Sequence, residues 1–109
     1  LWTSTRLERR IMNHKEIIDT YKQAIDTYGV RAQKLMAIEE MSELTKEICK
    51  DFRGKLNREH LIEEIIDVII TIDQLIMMYE ISKEEIVSMC IRKINRLKER
   101  LEKQNDEIK

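Results

Sequence analysis

The stretch HLIEEIIDVIITIDQLIMMY, residues 60–79, is the most apolar part of the chain and predicts a helix. At about 100° per residue, five polar side chains fall on one narrow line of this helix, and nearly all other positions are apolar. The line consists of His60, Glu64, Asp67, Thr71 and Gln74. Because a helix that is apolar on almost all sides belongs inside a bundle, Glu64 and Asp67 are expected to be pulled inward. Buried carboxylates need a partner, and the natural partners are cations.

Three more helices are predicted around this stretch, and their ends have recognisable caps. Gly29 stands where a helix C-cap belongs, Asn57 can cap the apolar helix, and Ser82 with Glu85 forms a capping box. The four helices are expected from about Lys15 to Tyr28, from about Val30 to Phe52, from Asn57 to near Ile81, and from Ser82 into a fraying tail, KQNDEIK. Short connections favour a four-helix up-and-down bundle, an all-α fold.

Apolar residues at spacings of three and four define the faces that are expected to pack in this bundle. They are Ile17, Tyr21, Ala24, Ile25 and Tyr28 in the first helix, Ile38, Met41, Leu44, Ile48 and Phe52 in the second, and Ile86, Cys90, Ile94, Leu97 and Leu101 in the fourth. One such core fits a single domain, residues 12–109. Residues 1–11 are interpreted as a cloning remnant or upstream translated sequence before Met12; the alternative is a helical arm whose Trp2 docks on the bundle.

Composition excludes several classes of function. The chain has no proline and only two glycines, and charged residues make up 38% of it with a net charge of −1, so no basic field exists for a nucleic acid polymer. Acids interrupt every apolar run before it is long enough for a membrane span. Cys49 and Cys90 match no metal-ligand spacing, so we interpret them as small core residues in a reducing cytoplasm.

Two acidic clusters are the candidate chemistry. They are Glu39, Glu40 and Glu43 in IEEMSEL, and Glu63, Glu64 and Asp67 in IEEIIDV. If the two helices are antiparallel neighbours, Glu43 and Asp67 lie about a dozen residues on either side of the connecting loop, and the carboxylates converge. Repulsion among them favours a hard divalent cation, Mg²⁺ or Mn²⁺, because no His or Cys stands at zinc or di-iron spacing. Magnesium on carboxylates usually takes further ligands from phosphates, so a nucleotide is the expected guest.

A solvated acidic face is the alternative interpretation. Glu39 and Glu43 can pair with Lys46 and Lys50 at helical spacing, and for the second helix alone this is the better interpretation. The third helix favours the metal site, because Asp67 is surrounded in sequence by isoleucine and valine.

Glu39-Glu40-Met41-Ser42-Glu43 followed by Glu64-Ile65-Ile66-Asp67 resembles the EExxE and ExxD signature of the all-α NTP pyrophosphohydrolase superfamily, which includes MazG and the dimeric dUTPases. The similarity extends over residues 28–101 and is greatest to short, single-domain MazG-like proteins. The resemblance implies hydrolysis of a nucleoside triphosphate between the α and β phosphates, giving a monophosphate and pyrophosphate. It also implies dimers or dimers of dimers.

Matched by motif, the resemblance implies that the Mg²⁺ ligands are Glu40, Glu43, Glu64 and Asp67, and that Glu39 and Glu43 are catalytic. Lys93 and Arg96 match its basic phosphate-binding residues, and Arg100 and Lys50 are further candidates. The alternative for the fourth helix is a solvated flank paired with Glu99 and Glu102. The sequence does not decide which residues form the base pocket; the candidates are Tyr21, Tyr28, Gln33, Phe52 and Tyr79.

The apolar third helix also predicts a dimer that buries part of Ile62, Ile69 and Ile76. A function of another class, a non-catalytic dimeric helical module for interaction or regulation, is the alternative to the enzyme. In that case the acids would provide specificity or solubility.

Overall fold

The computed structural model describes residues 12–108, and in this range the chain forms four α-helices and no strand. Helix α1 spans His14–Tyr28, α2 spans Val30–Phe52, α3 spans Arg58–Met78 and α4 spans Lys83–Ile108. The prediction of an all-α fold with four helices is therefore confirmed. Both interpretations of residues 1–11 concern a segment outside the described residues.

The predicted caps are present at the helix ends. The Gly29 N–H donates to the Ile25 carbonyl oxygen at 2.8 Å with Gly29 at φ 92°, a conformation that favours glycine. The Asn57 side chain accepts from the His60 N–H at 3.1 Å. Ser82 and Glu85 form both bonds of the capping box, at 2.7 and 3.1 Å. These confirmed caps are local features, which is why the sequence alone was sufficient to find them.

Two helix ends differ from the prediction, and one cap was missed. Helix α3 stops at Met78 rather than near Ile81, because Glu80 adopts φ 52° and turns the backbone away from the helix. Helix α4 extends to Ile108, past the point where a fraying tail was predicted, as the helix-forming Lys, Gln and Glu of this segment permit. Asn13 caps α1 by accepting from the Glu16 N–H at 2.9 Å.

The described residues divide into two compact units, the first ending at Tyr79 and the second beginning at Glu80. In the first unit α2 packs against α3, and α1 packs against α2. The described part of the second unit is dominated by α4, a single helix of 26 residues. All side chains of residues 87–107 are exposed, including the predicted apolar face from Cys90 to Leu101.

The buried side chains of the first unit are mostly polar. Ile17, Tyr21 and Ala37 are the buried apolar residues of the described chain, and Gln33, Glu47, Thr71, Asp73 and Gln74 are the buried polar ones. The Tyr21 hydroxyl donates to Asp73 Oδ2 at 3.3 Å, which links α1 to α3. Asp73 is fully buried, so this contact replaces part of the hydration that its side chain loses. The other buried polar residues lie on the sides of α2 and α3 that carry Glu40 and Asp67.

The prediction that the apolar face of α2 packs in the core of this chain is wrong. Leu44 is half-buried, but Ile38, Met41, Ile48 and Phe52 are exposed, Phe52 to 87%. The face that α2 buries instead contains Gln33, Ala37 and Glu47, with Glu40 half-buried on the same side. The apolar residues lie on another side of the helix, because polar residues occupy the contact with α3.

The interpretation of the cysteines as core residues is also wrong. Cys49 and Cys90 are both free thiols on exposed positions. Cys49 follows the exposed Ile48 on α2, and Cys90 lies on the exposed face of α4, so their burial was predicted from faces that this chain does not bury.

The polar line of α3 does turn inward, as predicted. Glu64 and Asp67 are half-buried, and Thr71 and Gln74 are buried, whereas His60 at the helix start is exposed. The opposite side of α3 is exposed at Ile62, Ile65 and Ile66. None of the helices in residues 12–108 is long and apolar enough to cross a membrane.

The cap at Asn57 provides a direct test of how α3 is anchored. Replacing Asn57 with Ala removes the acceptor for the His60 N–H, and we expect a loss of about 1 kcal/mol in the free energy of unfolding. Urea unfolding at fixed protein concentration measures the loss. The matched control, Asn57→Asp, keeps the acceptor and should unfold close to the wild type; equal losses in both variants would contradict a capping role.

Candidate metal centre

A short connection brings α2 and α3 together as antiparallel neighbours. Residues 53–57 separate them, and Gly54 adopts φ 70° inside this turn. The N–H groups of Arg53 and Lys55 donate to the Lys50 carbonyl oxygen at 3.1 and 2.9 Å, which satisfies the end of α2. Packed helices joined by so short a loop run antiparallel, so residues before the loop face residues at a similar distance after it.

Three carboxylates converge across this pair of helices. Glu40 of α2 and Glu64 and Asp67 of α3 each place one oxygen within 4.8 Å of the other two. All three side chains are half-buried. Glu64 and Asp67 are three residues apart and therefore project from neighbouring positions on one side of α3. We call these three residues the acidic triad.

The electrostatics of the acidic triad are unfavourable without a cation. Burial, and then the negative charges of Asp67 and Glu64, raise the pKa of Glu40 from 4.5 to about 7. In addition, Glu64 Oε2 is a buried oxygen that accepts no hydrogen bond. A buried, unpartnered carboxylate oxygen destabilises the protein unless a donor or a cation reaches it.

The donor set fits a hard divalent cation. It consists of carboxylate oxygens alone, which suit Mg²⁺ or Mn²⁺ better than metals that prefer nitrogen or sulfur. Three protein ligands also leave coordination positions for water or phosphate oxygens. The orphaned oxygen of Glu64 and the repulsion on Glu40 are two observations that a bound cation would explain together.

Glu43 and Glu39 lie outside the acidic triad. Glu43 Oε1 accepts from Lys46 Nζ at 3.4 Å, and the glutamate side chain is 43% exposed. This is the pairing that the solvated-face interpretation describes. Glu39 is exposed on α2. The structure therefore brings together three of the four expected metal ligands and places Glu43 one helical turn along α2 from Glu40.

Glu47 is only 6% exposed, although the sequence pattern does not single it out. Its Oε1 accepts from Lys50 Nζ at 2.9 Å, whereas its Oε2 is buried and has no hydrogen-bond partner. The signal was present in the spacing, since Glu47 stands seven residues after Glu40 and therefore on nearly the same side of α2. Lys50, expected to bind substrate, is fixed to α2 by this ion pair.

The other expected binding residues are spread over both units. Lys93, Arg96 and Arg100 lie exposed on α4, whereas the acidic triad is built entirely from the first unit. Among the base-pocket candidates, Tyr21 and Gln33 are buried, and Tyr28, Phe52 and Tyr79 are exposed. The ammonium of Lys34 lies 4.5 Å from the centre of the Tyr79 ring.

Comparison with known proteins gave no match: no family model, no curated protein and no solved structure is significantly similar to this chain. The site must therefore be interpreted from its own geometry and chemistry.

The raised pKa of Glu40 predicts how stability varies with pH in the absence of metal. The Glu40 carboxyl group binds its proton more tightly in the folded protein than in the unfolded chain. The stabilisation of the folded state by this proton is therefore complete below about pH 4.5 and is lost as the pH rises through about 7. At pH 8, Glu40→Gln should therefore be more stable than the wild type. Because Glu40 is half-buried and partly screened by solvent, we expect the free energy of unfolding to increase by on the order of 1 kcal/mol, which corresponds to a rise in Tm of roughly 4–8 °C.

Thermal unfolding in chelator at pH 5 and pH 8 measures this effect. The control is Glu39→Gln, which removes the neighbouring exposed carboxylate and should change the pH dependence little. If Glu40→Gln and Glu39→Gln shifted Tm equally at pH 8, the repulsion assigned to the acidic triad would be contradicted.

Proposed function

We propose that this protein is a Mg²⁺-dependent nucleoside triphosphate pyrophosphohydrolase that produces a nucleoside monophosphate and pyrophosphate. The convergence of Glu40, Glu64 and Asp67 in the seam between α2 and α3 is the observation that supports it most strongly. The order of the acids along the chain, EExxE then ExxD, is a second support, and it includes the same three carboxylates. We place the enzyme in the cytoplasm, where its substrates are available.

In this proposal Glu40, Glu64 and Asp67 bind the cation, with Mn²⁺ as a possible substitute for Mg²⁺. A bound divalent ion would neutralise phosphate charge and lower the pKa of a water molecule beside it. The half-buried carboxylates are well placed for this role, because their own hydration is already reduced. The proton on Glu40 must leave when the ion binds, so metal affinity falls as the pH drops below about 7.

Glu43 is the best candidate for the base that takes a proton from the attacking water. It lies one turn from Glu40, and its bond to the exposed Lys46 is a surface ion pair of little energetic value, so the side chain is free to turn toward the acidic triad. Glu39 would act beside it or on an additional metal ion. Lys50, held by Glu47, and Lys93, Arg96 and Arg100 of α4 are the cations proposed for the phosphates.

Hydrolysis of nucleotides tests the proposal. Incubation with canonical and modified dNTPs and NTPs plus Mg²⁺ should release pyrophosphate and a monophosphate, and chelator should stop the reaction. Asp67→Asn and Glu43→Gln should reduce the rate by more than about 100-fold while the circular dichroism spectrum stays helical. The reason is that each removes one charged oxygen group without changing the size of the side chain.

The matched control is Glu63→Gln, an exposed glutamate beside Glu64 that the acidic triad does not include, and it should retain activity. Release of diphosphate and orthophosphate would point to another reaction. Absence of any hydrolysis across the panel, with a folded protein, would sink the enzymatic assignment.

Self-association is proposed for the apolar sides of the helices. Ile62, Ile65 and Ile66 are exposed along one side of α3, and Ile38 is 63% exposed on α2. Exposed apolar surface of this extent is typical of interfaces, and a twofold contact between two copies would cover it. We therefore propose a homodimer or a dimer of dimers. The same observation favours the second candidate function, a helical interaction module, if hydrolysis is not found.

Light scattering combined with size-exclusion chromatography tests the dimer. Ile66→Glu places a charge on the exposed side of α3, and we expect dissociation to a smaller species, since a charge buried in an apolar interface is costly. The matched variant Ile66→Val keeps the apolar surface and should elute like the wild type. A wild-type protein that stays monomeric at micromolar and higher concentrations would contradict the proposal.

A further inference from the structure

The two helices that form the acidic triad repeat one pattern of residues on the sides that face each other. On α2, Glu40 is preceded by Ala37 and then by Gln33, at spacings of three and four. On α3, Asp67 is followed by Thr71 and then by Gln74, at spacings of four and three. Residues at these spacings share one side of a helix. Each helix therefore presents an acid, a small residue and a glutamine in a row.

The antiparallel arrangement places both glutamines on the same side of the acidic triad. Glu40 meets Glu64 and Asp67, so a residue seven positions before Glu40 lies at about the level of one seven positions after Asp67. Seven residues of helix span about 10.5 Å. The two amides thus adjoin the acidic triad at a distance comparable with that between the phosphates and the base of a nucleotide.

Burial distinguishes these glutamines from ordinary surface residues. Gln33 is 7% exposed and Gln74 is 6% exposed, and Ala37 and Thr71 between them and the acids are buried as well. The carbonyl oxygen of Gln74 is fully covered and accepts no hydrogen bond. An unmet buried acceptor destabilises the closed seam, and an N–H donor from a ligand would remove this cost.

An aromatic side chain reaches the same level of α3 from another side. Tyr21 of α1 is buried, and its hydroxyl donates to Asp73, the residue directly before Gln74. Because consecutive residues of a helix point about 100° apart, the contact between Tyr21 and Asp73 does not lie in the row of Asp67, Thr71 and Gln74. Recognition of a base at this seam therefore depends on the two side-chain amides, through paired donor and acceptor contacts.

We propose that Gln74, assisted by Gln33, is the residue that determines base specificity by hydrogen bonding to the edge of the nucleobase. This inference rests on the proposed function, since the acidic triad positions the phosphates. The amide accepts with its carbonyl oxygen and donates with its NH₂ group, so it pairs with a base edge that offers a donor beside an acceptor. Because Gln74 Oε1 is covered, the helices must part near Ala37 and Thr71 for a base to enter.

Two substitutions at Gln74 separate base recognition from a structural role. Gln74→Met keeps the length of the side chain and removes both polar groups, so kcat/KM for the preferred base should fall about 10- to 100-fold and discrimination among bases should narrow. Gln74→Glu replaces the donor with an acceptor, so preference should move toward bases that present two adjacent donors. Gln23→Met, at an exposed glutamine on α1, is the control and should leave the order of substrates unchanged.

A binding measurement makes the result independent of hydrolysis. Unphosphorylated nucleosides, added without metal to protein with ¹⁵N-labelled glutamine, should shift the side-chain amide signal of Gln74, and the order of affinities should match the order of kcat/KM. The inference would be overturned, with the hydrolase left intact, if kcat/KM fell equally for every base in both Gln74 variants and nucleosides did not shift the Gln74 amide signal of the wild type. A wild type that shifts with nucleosides but hydrolyses no nucleotide would instead overturn the proposed function alone.

Discussion

The repulsion among three carboxylates that are partly withdrawn from water is the constraint on which the seam between α2 and α3 depends. Glu40, Glu64 and Asp67 meet there, although a helix pair of this length is normally closed by apolar contacts. Burial and the two neighbouring charges raise the pKa of Glu40 to about 7, so near neutral pH part of the repulsion is relieved by a proton. A divalent cation would relieve it more completely, and the same position would then bind phosphate oxygens. The proposed function would therefore place demands on these side chains that are opposite to those of stability.

A polar seam has a consequence for the outside of the helices. Polar residues occupy much of the contact between α2 and α3, and the first unit buries few apolar side chains in its described part. Five isoleucines of the two helices are exposed instead, namely Ile38, Ile48, Ile62, Ile65 and Ile66. A domain with so little apolar burial gains stability when another surface covers its exposed isoleucines. The acidic triad and the proposed self-association would thus both follow from one arrangement, in which polar side chains occupy the interior and apolar side chains stand on the surface.

The parts of this structure that the sequence predicts are those with local causes. The caps at Gly29, Asn57 and Ser82 depend on a few adjacent residues, and the inward turn of Glu64 and Asp67 follows from the period of α3. The face of α2 was predicted wrongly because periodicity shows which residues share a side, but not which side meets a neighbour. Ile38 and Phe52 were assigned to the core on the assumption that the apolar side of α2 packs within the chain. The prediction that Cys49 is buried was wrong for a similar reason. Glu47 was missed because a glutamate among lysines suggests solvent, whereas this position is buried.

The repeated acid, small residue and glutamine also indicate why the site is in the seam. Positions that recur at three and four residues are those where two packed helices touch, and in a purely structural pair they contain leucine, isoleucine or valine. Here they contain Gln33, Ala37 and Glu40 on α2, and Asp67, Thr71 and Gln74 on α3. Each polar group at such a position weakens the pair unless its hydrogen bonds are satisfied, and the carbonyl oxygen of Gln74 is not. Local departures from the rules of packing concentrate at functional sites. Their coincidence along one seam, on both helices and in matching order, is therefore a stronger indication of a binding site than the acidic triad by itself.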